Sequence, residues 1–406
     1  MKYIILLVLA ATGLRCAVSS KPQTGFFIPG EFEQQEYIWL SWKETGFLGG
    51  APFKTAILDA IEVIHPEVKV KLLYGPELNF DKGEIEQRIW QSLLARKIDT
   101  GRIELFYNEK AFGAIQDPGP IFLKSSDRKL AVADFRYQHP DKRSEAIDKN
   151  VARNMNLPLV SSEMFSEGGA WQTNGKGTML LVESVELDRN RSMTKEQIEK
   201  EYERVLGVKK FIWFKAGLKE EEFGLLEDGR YGIGTGGHID EFCRFVDAET
   251  VLLTAIPPED TVDNPILKSS FKRMEENLAV LQKSSLQDGR PFKIIRIPAG
   301  PLMTKKLLYS SLNSEEKSWF ENVRSDSVEF YLTTGYMNFI IANNIVVSAK
   351  FWKEGLPASI KELDEEAYLV LSKAFPGRRI VQIDCMPLHH DGAGLHCHSR
   401  NEPMSK

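Results

Sequence analysis

Apolar residues recur at three- and four-residue spacing in five stretches of the chain, a pattern that predicts amphipathic helices. The stretches are residues 51–65, 84–98, 194–206, 266–282 and 360–374. In the third stretch, Thr194 and Gln197 have the spacing of a capping box, and Gly207 follows where a helix would end. We therefore expect helices that each bury one apolar face.

Strand-like runs of apolar and β-branched residues lie between these stretches. They cover residues 69–74, 103–107, 129–135, 178–183, 210–214, 250–256, 292–297, 328–332, 339–347 and 380–386. Helices and strands alternate along the whole chain, which favours an α/β fold. The sequence shows neither a literal repeat nor a long linker that would mark a domain boundary.

The chain begins with the features of a cleavable secretory signal. Met1-Lys2 precedes an apolar run over residues 3–11, and Ala17-Val18-Ser19 has the small residues of a cleavage site. We predict a signal peptide over residues 1–19 and an exported mature protein. A retained membrane anchor is the alternative, which the short length of the apolar run disfavours. No membrane partner is expected after cleavage.

Composition narrows the classes of partner. Of the 406 residues, 42% are hydrophobic and 27% are charged, which is typical of a globular protein with a large core. The formal net charge is -5, from 52 basic and 57 acidic side chains. Without a dense basic patch, the sequence argues against a nucleic-acid partner.

Cleavage after residue 19 would leave three cysteines, Cys243, Cys385 and Cys397. Three thiols cannot all pair with one another, so one is free or bridges to another chain. Cys397 is the best candidate for a reactive thiol, because it follows glycines and is flanked by His396 and His398, which would favour the thiolate. A surface tail with chance histidines is the alternative. The other two cysteines are either buried thiols or a disulfide.

Polar clusters stand at the ends of several predicted strands, where turns leave side chains free to meet a ligand. His238 and Asp240 would point to the same face if their segment were extended. A cysteine, a histidine and several carboxylates suit a planar guanidinium, whose donor forks paired carboxylates satisfy. The clusters cover residues 117–122, 134–137, 167–178, 236–245 and 335–339.

In this order, the motifs resemble those of agmatine deiminases and bacterial-type peptidylarginine deiminases. The resemblance runs from about residue 26 to 403. It implies a pentein-type propeller of five ββαβ blades around a central active site, formed by residues 20–406 as one catalytic domain, with no metal and no organic cofactor. The matching motifs are Trp39-Leu-Ser-Trp42, Asp117-Pro-Gly-Pro-Ile-Phe122, Asp134-Phe135, Glu167-Gly-Gly169, Gly237-His238-Ile-Asp240, Arg244-Phe245, Tyr336-Met-Asn338-Phe339, Gly394-Leu-His396-Cys397 and Glu402-Pro403.

The resemblance also implies roles for single residues. Cys397 would be the nucleophile and His238 the general acid and base, while Asp117 and Asp240 would grip the guanidinium. Further substrate-binding residues would be Glu167, Asn338 and Trp42, with the tryptophan as a pocket wall. Hydrolysis through a thiouronium adduct on the cysteine would then convert the guanidinium to a ureido group and ammonia.

Departures from the family pattern bear on the substrate. Gln116 stands where family members usually have an arginine, and the arginines that hold a substrate carboxylate near His139 are missing. The turn over residues 136–140 is similar to the peptidylarginine type, whereas Glu167-Gly-Gly169 is similar to the agmatine type. With the export signal, the sequence favours arginine in peptides or proteins as the substrate. Agmatine, which would give N-carbamoylputrescine, is the alternative.

Three other classes of function stay open. An amidinotransferase would pass the amidino group to an amine instead of water, and a descendant without activity would be a secreted binding protein. A zinc hydrolase is the third class, because several zinc-ligand residue types stand close together near the C-terminal end. They are His389, His390, Asp391, His396, Cys397 and His398.

Overall fold

The computed structural model describes residues 25–48, 52–77, 80–111, 113–137, 146–321, 323 and 325–405. The predicted signal peptide over residues 1–19 lies outside these ranges, as do His139, Lys142 and Arg143. No helix in the described ranges is long and apolar enough to span a membrane.

All five predicted helices are confirmed, and their bounds differ by a few residues from the periodic stretches. Thr194 Oγ1 accepts a hydrogen bond from Gln197 N at 3.3 Å, and Gln197 Oε1 accepts one from Thr194 N at 2.8 Å. The predicted capping box is therefore present, and Gly207 ends that helix with a φ of 70°. The helices are α1 (Phe53–Ile64), α2 (Lys82–Ala95), α3 (Ile147–Asn154), α4 (Glu183–Arg189), α5 (Lys195–Leu206), α6 (Pro265–Lys283), α7 (Ser314–Lys317), α8 (Ala358–Ala374) and α9 (Met386–His389).

Each predicted strand segment contains a strand, with two corrections. Residues 339–347 form a hairpin instead of one strand, and its turn contains Asn343 at positive φ. The last predicted strand ends at Ile383, because the chain turns into α9, which has a proline in its first turn. The strands are β1 (Phe26–Phe27), β2 (Gln35–Ser41), β3 (Lys69–Tyr74), β4 (Ile103–Tyr107), β5 (Ile121–Ser125), β6 (Leu130–Arg136), β7 (Leu159–Phe165), β8 (Trp171–Thr173), β9 (Thr178–Val182), β10 (Lys210–Phe214), β11 (Phe223–Leu225), β12 (Tyr231–Ile233), β13 (Cys243–Phe245), β14 (Thr250–Ala255), β15 (Lys293–Pro298), β16 (Thr304–Leu308), β17 (Ser327–Tyr331), β18 (Ile340–Ala342), β19 (Ile345–Ala349), β20 (Arg379–Ile383) and β21 (Ser399–Pro403).

One structural unit recurs in the described residues although no sequence repeat is visible. In each copy, two antiparallel strands are followed by a helical connection and a third strand that pairs in parallel with the second. The middle strand is covered on both faces, which explains its continuous apolar sequence. The mixed α/β class is thus confirmed. The five ββαβ units are built on β21-β2-β3, β5-β6-β7, β8-β9-β10, β13-β14-β15 and β18-β19-β20.

A further sheet lies outside these units, with the strand order β11-β12-β17-β16. Its first two strands precede the fourth unit in sequence, and its other two precede the fifth. The short, partly exposed strand β11 has no alternating apolar pattern, which explains why periodicity did not predict it.

Five of the candidate functional residues occupy equivalent places, one in each of the five units, whereas Trp42 follows β2 and Asp240 follows His238 in the same loop. Each of the five lies in the loop just before the first strand of its unit: Asp117 before β5, Glu167 before β8, His238 before β13, Asn338 before β18 and Cys397 before β21. The repeated unit therefore explains why motifs far apart in sequence meet at one place.

The two ends of the described chain meet in the first unit. Strand β21 pairs antiparallel with β2, so that Ser399 lies opposite Leu40. In addition, Ser41 N donates to His398 O at 3.1 Å. The loop that carries Cys397 is therefore held against a strand from the opposite end of the chain.

Candidate active site

Cys397 is held in place by the side-chain amide of Asn338. The Oδ1 atom of Asn338 accepts hydrogen bonds from the backbone N–H groups of His396 and Cys397, at 2.7 and 3.2 Å. Its Nδ2 atom donates to Cys397 Sγ at 3.2 Å. The thiol is nearly buried, with 5% of the residue exposed. Asn338 thus fixes both the backbone and the sulfur of this loop.

His238 is oriented by an acidic partner on the neighbouring loop. Its Nε2 atom lies 2.8 Å from Glu167 Oε2, and Arg189 Nε donates to Glu167 Oε1 at 2.8 Å. The Nδ1 atom of His238 is buried and has no hydrogen-bond partner among the described residues. Nδ1 is therefore the ring atom that is free for proton transfer.

Asp117 and Asp240 flank Gly169, which has no side chain to separate them. Gly169 N donates to Asp117 Oδ1 at 3.0 Å. A methyl group on Gly169 would come within 2.7 Å of His238 Nδ1, 3.0 Å of Asp117 Oδ1 and 3.1 Å of Asp240 Oδ2. Only glycine therefore leaves the centre of the site open.

The prediction of an extended His238–Asp240 segment is wrong, because Ile239–Glu241 form a turn of 3₁₀ helix. Both side chains still reach the same centre, since each approaches Gly169. The two residues therefore approach one centre, as the sequence predicts, but through a different local geometry.

The charges around His238 shift several ionisations. Burial alone would lower the pKa of His238, but Asp117 and Glu167 outweigh it and raise the pKa to about 9. Burial and the negative charges of Glu167 and Asp240 raise the pKa of Asp117 to about 6, although the nearby His238 opposes this shift. Burial opposes ionisation of Glu167 as well, but His238 and Arg189 lower its pKa below the usual value. At neutral pH the site therefore holds a protonated imidazole.

The idea that flanking histidines stabilise the thiolate is wrong. His396 points to Asp240 and Glu31, and His398 Nδ1 contacts Gly113 O at 2.8 Å. Burial lowers the pKa of His398 to about 3, so this imidazole carries no charge near the sulfur. Burial, followed by the charges of nearby carboxylates, instead raises the pKa of Cys397 well above its ordinary value. Without a ligand, the thiol is protonated.

Glu241 is a site residue that sequence reasoning missed. Its Oε1 atom accepts from Asn338 Nδ2 at 2.6 Å and lies 3.8 Å from Cys397 Sγ. Burial and the charges of Glu221 and Asp240 raise the pKa of Glu241 well above its usual range. Its position directly after the Gly-His-Ile-Asp motif was the available signal.

Trp42 and Gln116 have supporting places. Trp42 packs in an apolar cluster with 3% of the residue exposed, and its buried Nε1 has no hydrogen-bond partner in the described ranges. Gln116 N donates to Cys397 O at 2.9 Å, and Gln116 O accepts from Arg400 Nη2. The residue that replaces the usual arginine thus ties the loop of Asp117 to that of Cys397. The role of Trp42 in substrate binding stays a prediction.

The zinc-ligand types near the C-terminal end do not converge. Asp391 accepts hydrogen bonds from the backbone of Phe47 and Leu48, and His389 contacts Thr333 O and Cys385. Atoms of Asp240, Glu241 and Cys397 do lie close enough together to hold a cation. However, Asn338 Nδ2 is within 3.4 Å of an atom of each of them, so a metal ion would have to displace this amide.

Of the two alternatives for Cys243 and Cys385, buried thiols are confirmed and the disulfide is wrong, since both are free and buried. Arg244 also has a structural place: it pairs with Glu31 and donates to the carbonyl oxygens of Met337 and Phe339. These carbonyls flank Asn338, so Arg244 supports the loop that holds the thiol.

Comparison with known proteins identifies the family. Residues 27–403 match the family described as Porphyromonas-type peptidyl-arginine deiminase. The chain belongs to this deiminase family. The deiminase is 26% identical over 408 residues to an agmatine deiminase of Medicago truncatula. This alignment covers 93% of this chain and 96% of that protein. The family predicted from the ordered motifs is thus confirmed, and the deiminase is a hydrolase that acts on C–N bonds.

Solved structures show the same fold. The agmatine deiminase of Enterococcus faecalis is 20% identical and has a TM-score of 0.73, with 95% of this chain and 97% of that chain covered. A C. jejuni agmatine deiminase with substrate bound is 21% identical and has a TM-score of 0.68, with 93% and 96% covered. At these identities the structures establish the fold of the deiminase.

The contacts of Gly169 give a test of the site. We expect Gly169→Ala to lower kcat/KM by at least about 100-fold, because a displacement of about 1 Å among reacting groups is sufficient for such a loss. Gly83→Ala, at an exposed position of α2, is the matched control and should retain activity. Steady-state kinetics and circular dichroism of both variants check this. Wild-type kinetics in a folded Gly169→Ala protein would contradict the described site.

Proposed function

We propose that the protein is an agmatine deiminase, which hydrolyses the guanidinium of a small amine to a ureido group and ammonia. The observation that carries this proposal is a buried centre in which His238, Asp117 and Asp240 approach Gly169. The nucleophile candidate Cys397 lies beside it, with Sγ 3.8 Å from Asp240 Oδ2. Several carboxylates face this centre, which suits a cationic substrate. The nearly complete burial of the side chains favours a slender substrate.

Asp117 and Asp240 hold the guanidinium in this proposal. Each has an oxygen engaged by the protein, since Asp117 Oδ1 accepts from Gly169 N and Asp240 Oδ2 contacts His396 Nδ1 at 2.7 Å. Asp240 Oδ1 is buried without a partner in the described part of the chain. A guanidinium N–H group supplies the missing donor.

The bound cation then activates the thiol. Its positive charge offsets the carboxylates that hold the pKa of Cys397 high, and the thiol loses its proton to solvent. The thiolate attacks the guanidinium carbon, and His238 Nδ1 gives its proton to the departing ammonia. The product of this half-reaction is a thiouronium on Cys397 with neutral His238.

Hydrolysis restores the starting state. Neutral His238 takes a proton from water as the oxygen adds to the thiouronium carbon. The C–S bond then breaks, which returns the thiolate and protonated His238, and the thiolate regains a proton from solvent when the product leaves. The carbonyl of the ureido product loses its proton to the released ammonia. The substrate side of the reaction loses one positive charge, and one water is consumed.

The choice of agmatine rests on the names of the relatives, which cover nearly the whole chain. Peptidyl-arginine was favoured by the sequence and is the second candidate. It is supported by the signal-like start and by the turn after Asp134-Phe135. Asn338, Glu167 and Trp42 are proposed to position the substrate in either case.

We also propose the finer architecture and location. Five ββαβ units closed into a five-bladed propeller would place all five first-strand loops around one centre, and the pairing of β21 with β2 supports closure. Residues 20–406 would then form a single catalytic domain. Export with removal of residues 1–19 is part of this proposal.

The pKa values predict a bell-shaped pH profile. Since Asp117 must be ionised to hold the cation, kcat/KM should fall as the pH drops through about 6. Because His238 must be protonated to release ammonia, kcat/KM should fall as the pH rises through about 9. Glu167→Gln removes a charge that raises the pKa of His238, so its basic limb should move down by about one unit or more.

The control for this profile is Glu163→Gln, an exposed position on β7. Its basic limb should match that of the wild type. A basic limb that is unchanged in Glu167→Gln would remove His238 from the role of general acid.

Substrate choice is decided by comparing agmatine, free arginine and a blocked arginine amide. We expect kcat/KM for agmatine to exceed the other values by about 100-fold, or about 2.7 kcal/mol of differential transition-state binding. Ammonia and ureido product should form in equal amounts, and a chelator should not change the rate. Preference for the blocked amide would replace the agmatine proposal with peptidyl-arginine. Transfer of the amidino group to an added amine would identify an amidinotransferase.

A further inference from the structure

His396 lies between two carboxylates. Its Nδ1 atom is 2.7 Å from Asp240 Oδ2, and its Nε2 atom is 3.0 and 3.2 Å from the two oxygens of Glu31. The imidazole is buried, with 1% of the residue exposed. Neither ring nitrogen faces the thiol of the adjacent Cys397. The contacts therefore connect Asp240 to Glu31 through His396.

Hydrogen bonding fixes the number of protons in the series Asp240–His396–Glu31. Carboxylate oxygens and an unprotonated ring nitrogen are all acceptors, so each of the two contacts needs a proton. A neutral imidazole supplies only one. Either His396 carries both protons, or one of the two carboxyl groups is protonated.

Arg244 decides which carboxyl group is ionised. The guanidinium of Arg244 pairs with Glu31. Burial would raise the pKa of Glu31, but His396 and Arg244 outweigh it and hold this pKa well below its usual range. With Glu31 ionised, Nε2 of His396 must carry a proton. The second proton then lies between His396 Nδ1 and Asp240 Oδ2.

The position of that second proton determines the charge that Asp240 presents. Asp240 is completely buried, and its Oδ1 atom has no partner among the described residues. With the proton on His396, Asp240 is a full carboxylate facing the site. With the proton on Asp240, the carboxyl is neutral and binds a cation less well.

Glu31 connects the hydrogen-bonded series to the protein surface. Its side chain is 20% exposed and lines a small cavity of about 30 Å³, together with Gln35 and Arg400. Neither Asp240 nor Cys397 lines this cavity. Protons can therefore exchange with solvent at Glu31 without passing the thiol.

We propose that His396 and Glu31 are positioning residues that keep the shared proton on the imidazole, so that Asp240 meets the guanidinium as a carboxylate. This inference rests on the proposed function, because it takes the ligand between Asp117 and Asp240 to be a cation. The two residues act through Asp240 and contact neither the substrate nor the reacting sulfur.

Other ionisable groups surround the chain and need to be separated from it. Asp117 and His238 titrate in the accessible range, near about 6 and about 9. Both residues are retained in the variants below, and because Asp240 contributes to both pKa values, each pH profile is compared with that of a matched control. Other charged or titratable groups near Asp240, His396 and Glu31 in the described ranges include Arg244 on β13, Arg400 on β21, Glu221, Glu241 and Cys397.

Binding of the guanidinium ion to Cys397→Ala tests the inference without turnover. The probe is guanidinium chloride at non-denaturing concentration, and its Kd is measured by calorimetry across the pH range. Glu31→Gln in this background removes the charge that holds the proton on His396. We expect binding to weaken by about 10-fold near the acidic limb, because loss of an adjacent opposite charge shifts an ionisation by about one unit or more.

The matched control is Glu33→Gln, which lines the same cavity and pairs with Lys124 and Lys176 but not with His396. Its profile should follow the parent. A second variant, His396→Asn, keeps a donor near Asp240 but cannot carry the extra proton, and should show the same loss at low pH. Circular dichroism checks the fold of each protein.

The inference is overturned if Glu31→Gln or His396→Asn keeps the pH profile of the parent, or if Glu33→Gln shifts it equally. Failure of the proposed function is seen in a different measurement. If the guanidinium ion binds to Cys397→Ala with the expected pH dependence but the wild-type protein does not turn over agmatine, agmatine is rejected as the substrate. The role of His396 and Glu31 is then still supported.

Discussion

The structure depends on the burial of several acidic side chains around one thiol. Asp117, Asp240 and Glu241 all raise the pKa of Cys397. Isolated charges cannot be buried without compensation, so the protein surrounds them with donors and cations. Burial disfavours the ionised form of Glu241, His238 is protonated, and Asn338 Nδ2 donates to Glu241 Oε1 and to Cys397 Sγ. In the described part of the chain, Asp240 Oδ1 is still buried without a hydrogen-bond partner, which favours a cationic ligand there.

The repeated ββαβ unit is what brings these groups together. Loops before the first strands carry the candidate residues, so the site is assembled from segments spread over most of the chain. Tertiary contacts then fix the loops: Arg244 supports the segment around Asn338, and Gln116 ties the loop of Asp117 to Cys397. The fold therefore supplies position, and the loop residues supply the chemistry.

Much of the fold could be predicted from the sequence, because helix periodicity and buried apolar strands are local signals. The three-residue strands, such as β8 and β13, are too short to show a pattern, and they depend on pairing with distant segments. For the site, ordered motifs led to the residues that the structure brings together. The partners of His396 could not be predicted in this way, since Glu31 and Asp240 are remote in sequence, and adjacency wrongly suggested that His396 faces Cys397.

The central claim is that a cation held by buried carboxylates makes Cys397 the nucleophile of a deiminase. Ammonia release from agmatine, measured for Cys397→Ala beside Cys243→Ala and Cys385→Ala, tests it most directly. All three residues are buried free cysteines, so each variant loses a buried thiol. Only Cys397→Ala loses it from the candidate active site. The account predicts that activity is lost only in Cys397→Ala. Ammonia release at the wild-type rate from folded Cys397→Ala would contradict it.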